Sequence, residues 1–211
     1  MKGLLRIGTR ASRLARWQAD QVRGALSVVG RAATLVEIHT SGDAAPNVPL
    51  HQFGNRAVFT KELDDAVLDR RVDLAVHSLK DLPTILPEGL ALAAVTVRED
   101  PRDALVGRWP IAWSDLPKGA VVATSSPRRR AQLLRGRPDL AITDLRGNVE
   151  TRLAKLDSTA DWTAVVLAVA GLVRLGLADR IGERLSFDLM LPAPGQGAIA
   201  VTARAEDQAL C

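Results

Sequence analysis

The chain has 211 residues, 47% of them hydrophobic and 25% charged, with a net charge of +4. That suits one large domain or two small ones with ordinary globular composition, and no apolar run of about 18 residues is present to span a membrane. The single cysteine, Cys211, excludes a disulfide framework or a thiolate metal cluster within one chain, and His39, His51 and His77 lack i, i+4 pairing, so no metal site is expected.

The first segment, MKGLLRIGTRASRLARW, lacks the apolar core and small-residue cleavage site of a signal peptide, so a cytoplasmic protein is expected. LLRIGT (4–9) reads as a buried strand. The helix after it carries Leu14, Trp17, Val22, Ala25, Leu26 and Val29 near helical spacing, with Ser12 or Thr9 as its cap. TLVEIHT (34–40) is a second strand, and SGDAAPNVPLHQFGN (41–55) a loop with two prolines and two glycines. FTKELDDAVLDR (59–70) is a helix with Phe59, Leu63, Ala66 and Val67 on one face. VDLAVHS (72–78) and LALAAVTV (90–97) are strands flanking a proline-bounded loop.

The second half repeats the style. AVVATS (120–125), LAITDL (140–145) and TAVVLAVAGL (163–172) begin as strands. PRRRAQLLRG and NVETRLAKLD are helices, the first with proline in its opening turn, and AIAVTAR (198–204) is the last strand. Strands alternating with helices predict a parallel-rich α/β architecture. REDPRDA (98–104) and MLPAPGQG (190–197) read as seams. The chain is expected to build one doubly wound domain from 1–97 plus 195–211 and a second from 98–194, with a cleft between them. Ligands in open α/β sheets bind at the carboxyl ends of strands.

Arginines stand at those ends. Of the 28 basic residues 23 are arginine, whose planar fork suits carboxylate and phosphate. A GC-rich genome would raise arginine too, so composition alone does not choose. Position does more: Arg10, Lys80, Arg128, Arg129, Arg146 and Arg174 each follow a strand, and Arg152 lies one turn into a helix. A helix turns about 100° per residue, so at most two of Arg128, Arg129 and Arg130 face one pocket, and Arg130 is expected to point away. Cations at a helix N-terminus oppose its dipole, and an anion held there relieves the conflict. Three such helix starts, with Ser12, Thr124, Ser125 and Ser126 among their donors, predict a polyanionic ligand. Asp81 is a lone acid among these cations. It reads either as a salt bridge or cap, or as a carboxylate kept ionised to face a developing cation or move a proton.

HSLKDLP, REDPRDA, ATSSPRR, LRGNVETRL, LAVAGLVRLGL and LPAPGQGA, in this order, resemble porphobilinogen deaminase (hydroxymethylbilane synthase). The match runs from LRIGTR to AIAV. The resemblance implies two periplasmic-binding-protein-like α/β domains and a transferase that joins four porphobilinogen units into hydroxymethylbilane with release of ammonia. It implies a dipyrromethane primer held by a cysteine of a third, α+β domain. It also implies that Asp81 is catalytic, stabilising the cation left when ammonia departs. Lys80, Arg128, Arg129, Arg146, Arg152 and Arg174 would pair with acetate and propionate groups. Arg10 and Ser12 would lie near the substrate and growing chain, Thr124, Ser125 and Ser126 would donate to the primer, and Gln196 would stand at the hinge.

Two departures from the family's pattern are visible. Its loop usually reads close to GGKGLFTKELE, whereas this chain has FGNRAVFTKELDD, with Asn55, Arg56 and Ala57 substituted, Gln52 replacing an upstream lysine, and Phe59 retained. Arg56 and Phe59 are expected in a loop over the cleft. Second, the family's glycine-rich cysteine motif is missing, so Cys211 in AEDQALC is not assigned as the attachment residue and the third domain is expected to be absent. A shortened product, a two-domain form completed by a separate partner and an inactive relative all fit. The expected partners are porphobilinogen and linear pyrrole chains, with no nucleic acid and no membrane, and a monomer is expected. The alternative is a two-domain binding module for a carboxylate-rich pyrrole without turnover. Nucleic acid binding is disfavoured because stacking aromatics are scarce, with no Tyr and three Phe.

Overall fold

The computed structural model describes residues 3–40 and 60–210. The chain divides into two compact units, residues 1–98 with 198–211 and residues 99–197. Each is built on a five-stranded sheet.

In the first unit the strands are β1 (Leu5–Thr9), β2 (Ala33–Glu37), β3 (Leu74–Ser78), β4 (Leu90–Val95) and β10 (Ile199–Arg204), in the order β2-β1-β3-β10-β4. β1 runs parallel to β2 and β3, whereas β10 is antiparallel to β3 and β4. Both faces are covered, which is why these strands read as continuous apolar runs rather than alternating ones. Alternate residues of β3 part company across the sheet. Leu74 and Val76 pack with Ile7, Val201 and the Ala19 and Val22 of α1 (Arg13–Val28). Ala75 packs on the opposite face with Leu63, Ala66 and Val67 of α2 (Lys61–Leu68).

The second unit repeats the plan. Its strands are β5 (Asp103–Gly107), β6 (Val121–Ala123), β7 (Ala141–Thr143), β8 (Ala164–Ala168) and β9 (Glu183–Arg184), in the order β7-β6-β8-β5-β9. β6 is parallel to β7 and β8, and β5 is antiparallel to β8 and β9. On one face α3 (Pro127–Gly136) inserts Leu133 among Leu105, Val122 and Val166. On the other, Leu153 and Leu156 of α4 (Val149–Ser158) and Leu172 of α5 (Val169–Arg174) meet Val106, Ala123 and Val165.

Helix starts are set by side-chain caps. Ser12, Ser126 and Asn148 accept hydrogen bonds from the amides of Ala15, Arg129 and Thr151, and Pro127 opens α3 with its φ already helical.

Two elements escape the sequence pattern. Residues 98–104 read as a seam, but β5 begins inside them at Asp103 and is buried along its whole length. An aspartate after a proline, ahead of a three-residue apolar run, gives no strand signal. β9 is two residues long. The strands expected over 34–40, 120–125 and 140–145 are shorter, Ala33–Glu37, Val121–Ala123 and Ala141–Thr143. Thr124 and Ser125 therefore follow β6 as loop residues, although the Thr124 amide still donates to the Thr143 carbonyl at 2.8 Å.

Candidate functional site

In the first unit a pocket lies at the carboxyl ends of β1 and β3. Arg10, Gln18, Thr60, His77, Ser78 and Asp81 line it. Arg10 follows β1 directly, in the turn that Ser12 closes as the cap of α1. Asp81 ends the single 3₁₀ turn Leu79–Asp81 that follows β3. Gln18 reaches from α1 to donate to Ser78 Oγ at 2.9 Å, fixing the end of β3. Asp81 is exposed, and its carboxylate has no hydrogen bond or ion pair to another described residue. The salt bridge to Lys80 that spacing allows is not formed. Lys80 is exposed beside it in the same turn.

Two buried titratable groups at the pocket were not singled out by sequence reasoning: His77, which lines it, and Asp64. His77 Nε2 is 3.2 Å from Thr202 Oγ1 and 3.9 Å from Asp64 Oδ1. Burial, with a smaller push from the charge of Arg10, lowers the His77 pKa to about 4, so the imidazole is neutral near pH 7. Burial raises the Asp64 carboxyl to about 6, opposed by the Thr60 hydroxyl and aided by Asp65.

In the second unit the expected residues gather at the carboxyl ends of β6, β7 and β8. Thr124 Oγ1 accepts from the Ser126 amide at 3.2 Å, and Ser125 Oγ accepts from the Leu145 amide at 2.9 Å, tying the β6 and β7 turns together. Arg146 is half-buried after β7, and its carbonyl accepts from Lys155 Nζ at 3.2 Å. Arg152 Nε donates to the Gly147 carbonyl at 2.7 Å across the start of α4. Arg174, at the end of α5, donates to the Gly197 carbonyl at 2.5 Å. Burial lowers its pKa from the usual guanidinium value, with the charge of Glu99 opposing.

Arg128 and Arg129, both expected to pair with ligand carboxylates, share a carboxylate of the chain itself. Arg129 is buried, donating to Asp103 Oδ1 at 2.7 Å and to the Val166 carbonyl at 2.9 Å. Arg128 is more open, donating to Asp103 Oδ2 at 2.7 Å and to the Leu191 carbonyl. Arg130 is exposed, as the helical rotation predicts. Gln196, 1% exposed, donates to the Pro101 carbonyl at 2.7 Å and to Asp103 Oδ1 at 2.9 Å. Asp103 is thus the residue that the sequence reading missed. Burial alone would raise its carboxyl, but the charges and hydrogen bonds of Arg129 and Arg128 outweigh that and hold it below the ordinary range. The signal for it in the sequence is the aspartate that precedes the short apolar run of REDPRDALV.

Arg56, Phe59 and Cys211 lie outside the described residues. Among the described residues no helix is long and apolar enough to cross a membrane.

Each unit thus presents cations at the carboxyl ends of its strands, where open α/β sheets bind ligands. Residues 5–211 match a family model described as porphobilinogen deaminase, dipyromethane cofactor binding domain. A porphobilinogen deaminase of Geobacter metallireducens is 52% identical over 209 residues, covering 98% of this chain and 65% of that protein. One from Acidithiobacillus ferrooxidans is 52% identical over 206 residues, covering 97% and 67%. The chain therefore spans about two thirds of the length of these relatives. A periplasmic substrate-binding protein of an ABC transporter from Coxiella burnetii shares the fold, with a TM-score of 0.58 at 16% identity, covering 97% of this chain and 86% of that one.

Proposed function

This chain belongs to the porphobilinogen deaminase family, and from that premise we propose that it takes part in condensing four porphobilinogen units into hydroxymethylbilane with release of ammonia. The observation that carries the reading is the pocket of the first unit, which Asp81, with its open carboxylate, and Arg10 both line from adjacent strand ends.

The chemistry asks for that pair. Departure of ammonia from the aminomethyl group of porphobilinogen leaves a cation delocalised over the pyrrole. A carboxylate held by no other described residue is available to face it and to accept the pyrrole N–H. Arg10 and Lys80 beside it suit the acetate and propionate of the same unit. The sets after β6, β7 and β8 in the second unit, Arg128, Arg129, Arg146, Arg152 and Arg174 with Thr124, Ser125, Ser126 and Gln196, likewise suit acetate and propionate groups of pyrrole units.

These residues fit the acidic side chains of a dipyrromethane. Arg129 Nε is buried and meets no hydrogen-bond partner among the described residues, a donor that an incoming carboxylate would satisfy. When bound, that group supplies the terminal pyrrole onto which further units are added. Arg128, Arg146 and Arg152 of the second unit would hold its carboxylates. No attachment residue is assigned.

Residues 1–97 with 195–211 and residues 98–194 are taken as the two functional domains, bounds that differ from those of the compact units at residue 98 and at residues 195–197. The protein is taken as a cytoplasmic monomer. Incubation of the purified chain with porphobilinogen tests the reading. Ammonia release with formation of uroporphyrin supports it. Saturable binding without ammonia would make the chain a binding module, and neither outcome in a folded sample would overturn both.

A further inference from the structure

One buried carboxylate collects three of the side chains assigned to ligand binding. Asp103 Oδ1 accepts from Arg129 and Gln196, and Oδ2 accepts from Arg128. Its side chain is fully buried, that of Arg129 is 7% exposed and that of Arg128 is 25% exposed. Two guanidiniums share one carboxylate, so one positive charge remains, and Arg128 is the arm nearer to solvent.

Each guanidinium also has a second anchor. Arg129 donates to the Val166 carbonyl in β8. Arg128 donates to the Leu191 carbonyl, which also accepts from Gln132 Nε2 at 3.1 Å, while the Leu191 amide donates to Gln132 Oε1 at 2.8 Å. Asp103 itself is fixed by backbone. It pairs with Ala168 across the ladder, and its carbonyl accepts from the Leu185 amide at 2.9 Å.

An acid at this place weakens the local positive field, so raw attraction for an anion is not what it supplies. Without it, two adjacent guanidiniums at the start of α3 would repel each other and oppose the helix dipole, and the more open one would swing into solvent. With it, the Arg128 fork is immobilised before any ligand arrives, and the ordering cost of binding is already met.

We propose that Asp103 is a positioning residue for the binding of carboxylate-bearing pyrroles, acting through Arg128 by holding its guanidinium in the orientation that a ligand carboxylate meets. This rests on the porphobilinogen reading above.

The test compares wild type, Asp103→Asn, Arg129→Gln and the double variant. It reads thermal melting, the exchange of the Arg128 Nε–H resonance (assigned with Arg128→Lys) and calorimetric affinity for porphobilinogen. Asp103→Asn is expected to speed Arg128 Nε–H exchange and to lower affinity tenfold or more. In the Arg129→Gln background one buried cation is gone, so charge balance no longer demands the acid. A mere counter-ion would there be dispensable, whereas a positioning residue still lowers affinity when replaced. That background also carries the measurement where Asp103→Asn alone does not fold. Unchanged exchange and unchanged affinity in the double variant relative to Arg129→Gln would overturn the proposal. A wild-type chain that does not bind porphobilinogen sinks the functional reading, while the Arg128 resonance still decides the role of Asp103.

Discussion

Arg10 and Asp81 enter one pocket from the ends of two neighbouring parallel strands, β1 and β3. Their meeting depends on strand order rather than on sequence proximity, since 70 residues separate them. A parallel sheet places its loops on one edge, and adjacency of β1 and β3 brings these two turns together.

Asp81→Asn follows directly from this relationship. The side chain is exposed and bonded to no other described residue, so stability should change by no more than about 0.5 kcal/mol. Loss of a negative charge opposite a developing cation should slow ammonia release by about 10²-fold or more. Parallel melting curves and ammonia assays check both halves. Activity near that of wild type would remove Asp81 from the chemistry.

Ser125→Ala separates two roles for a hydroxyl expected to serve the ligand. Ser125 Oγ accepts from the Leu145 amide at 2.9 Å, and Leu145 is 1% exposed. Deleting the acceptor strands a buried N–H and should cost about 1–3 kcal/mol in urea unfolding. An unchanged midpoint with weakened porphobilinogen binding would mean that the hydroxyl serves the ligand instead.

Much of this was legible in the chain, and the exceptions have physical causes. The buried parallel strands and the helix caps follow from apolar runs and from Ser12, Pro127 and Asn148. The strand-end arginines point to an anion from the sequence alone. Asp103 was hidden because β5 carries only Ala104, Leu105 and Val106 as an apolar signal and its partners are long-range, Arg128 and Arg129 lying 25 and 26 residues on. Spacing also could not show that Arg129 is buried. Helical rotation tells which residues share a face, not how deep that face lies.

Gly147→Ala should act on the arginine turn of LRGN. Gly147 has φ +116°, and a Cβ there would lie 2.6 Å from Thr151 Cγ2. The same residue offers the carbonyl that receives Arg152 Nε at 2.7 Å. The substitution combines a left-handed backbone with a clash at the first turn of α4, so a loss on the order of 1–3 kcal/mol is expected. Porphobilinogen affinity should fall with it, because Arg146 and Arg152 flank the distorted peptide. Wild-type melting would show that the turn relaxes without strain.

The buried His77 and Asp64 predict a particular response to acid. His77 has its pKa lowered from 6.5 to about 4, so within that window the unfolded chain takes up a proton that the folded chain refuses. Stability is therefore lost as pH falls through it, by on the order of 2–3 kcal/mol. Asp64 is raised from 3.8 to about 6, and the sign reverses. The folded chain keeps a proton that the unfolded chain releases, so this contribution is full below pH 3.8 and is lost as pH rises toward 6. Between about pH 4 and 6 the two slopes oppose each other, and wild type should show a shallow profile there. The lowered carboxyls of Asp73, Asp100 and Asp103 contribute above their ordinary value of 3.8 and lose stability only below it, outside this window. Asp64→Asn removes one slope and should steepen the acid loss between pH 6.5 and 4, whereas His77→Gln should flatten or reverse it. Urea midpoints measured across that range check the signs independently of any absolute change in stability. Parallel profiles for the two variants would show that His77 and Asp64 do not titrate where their burial places them.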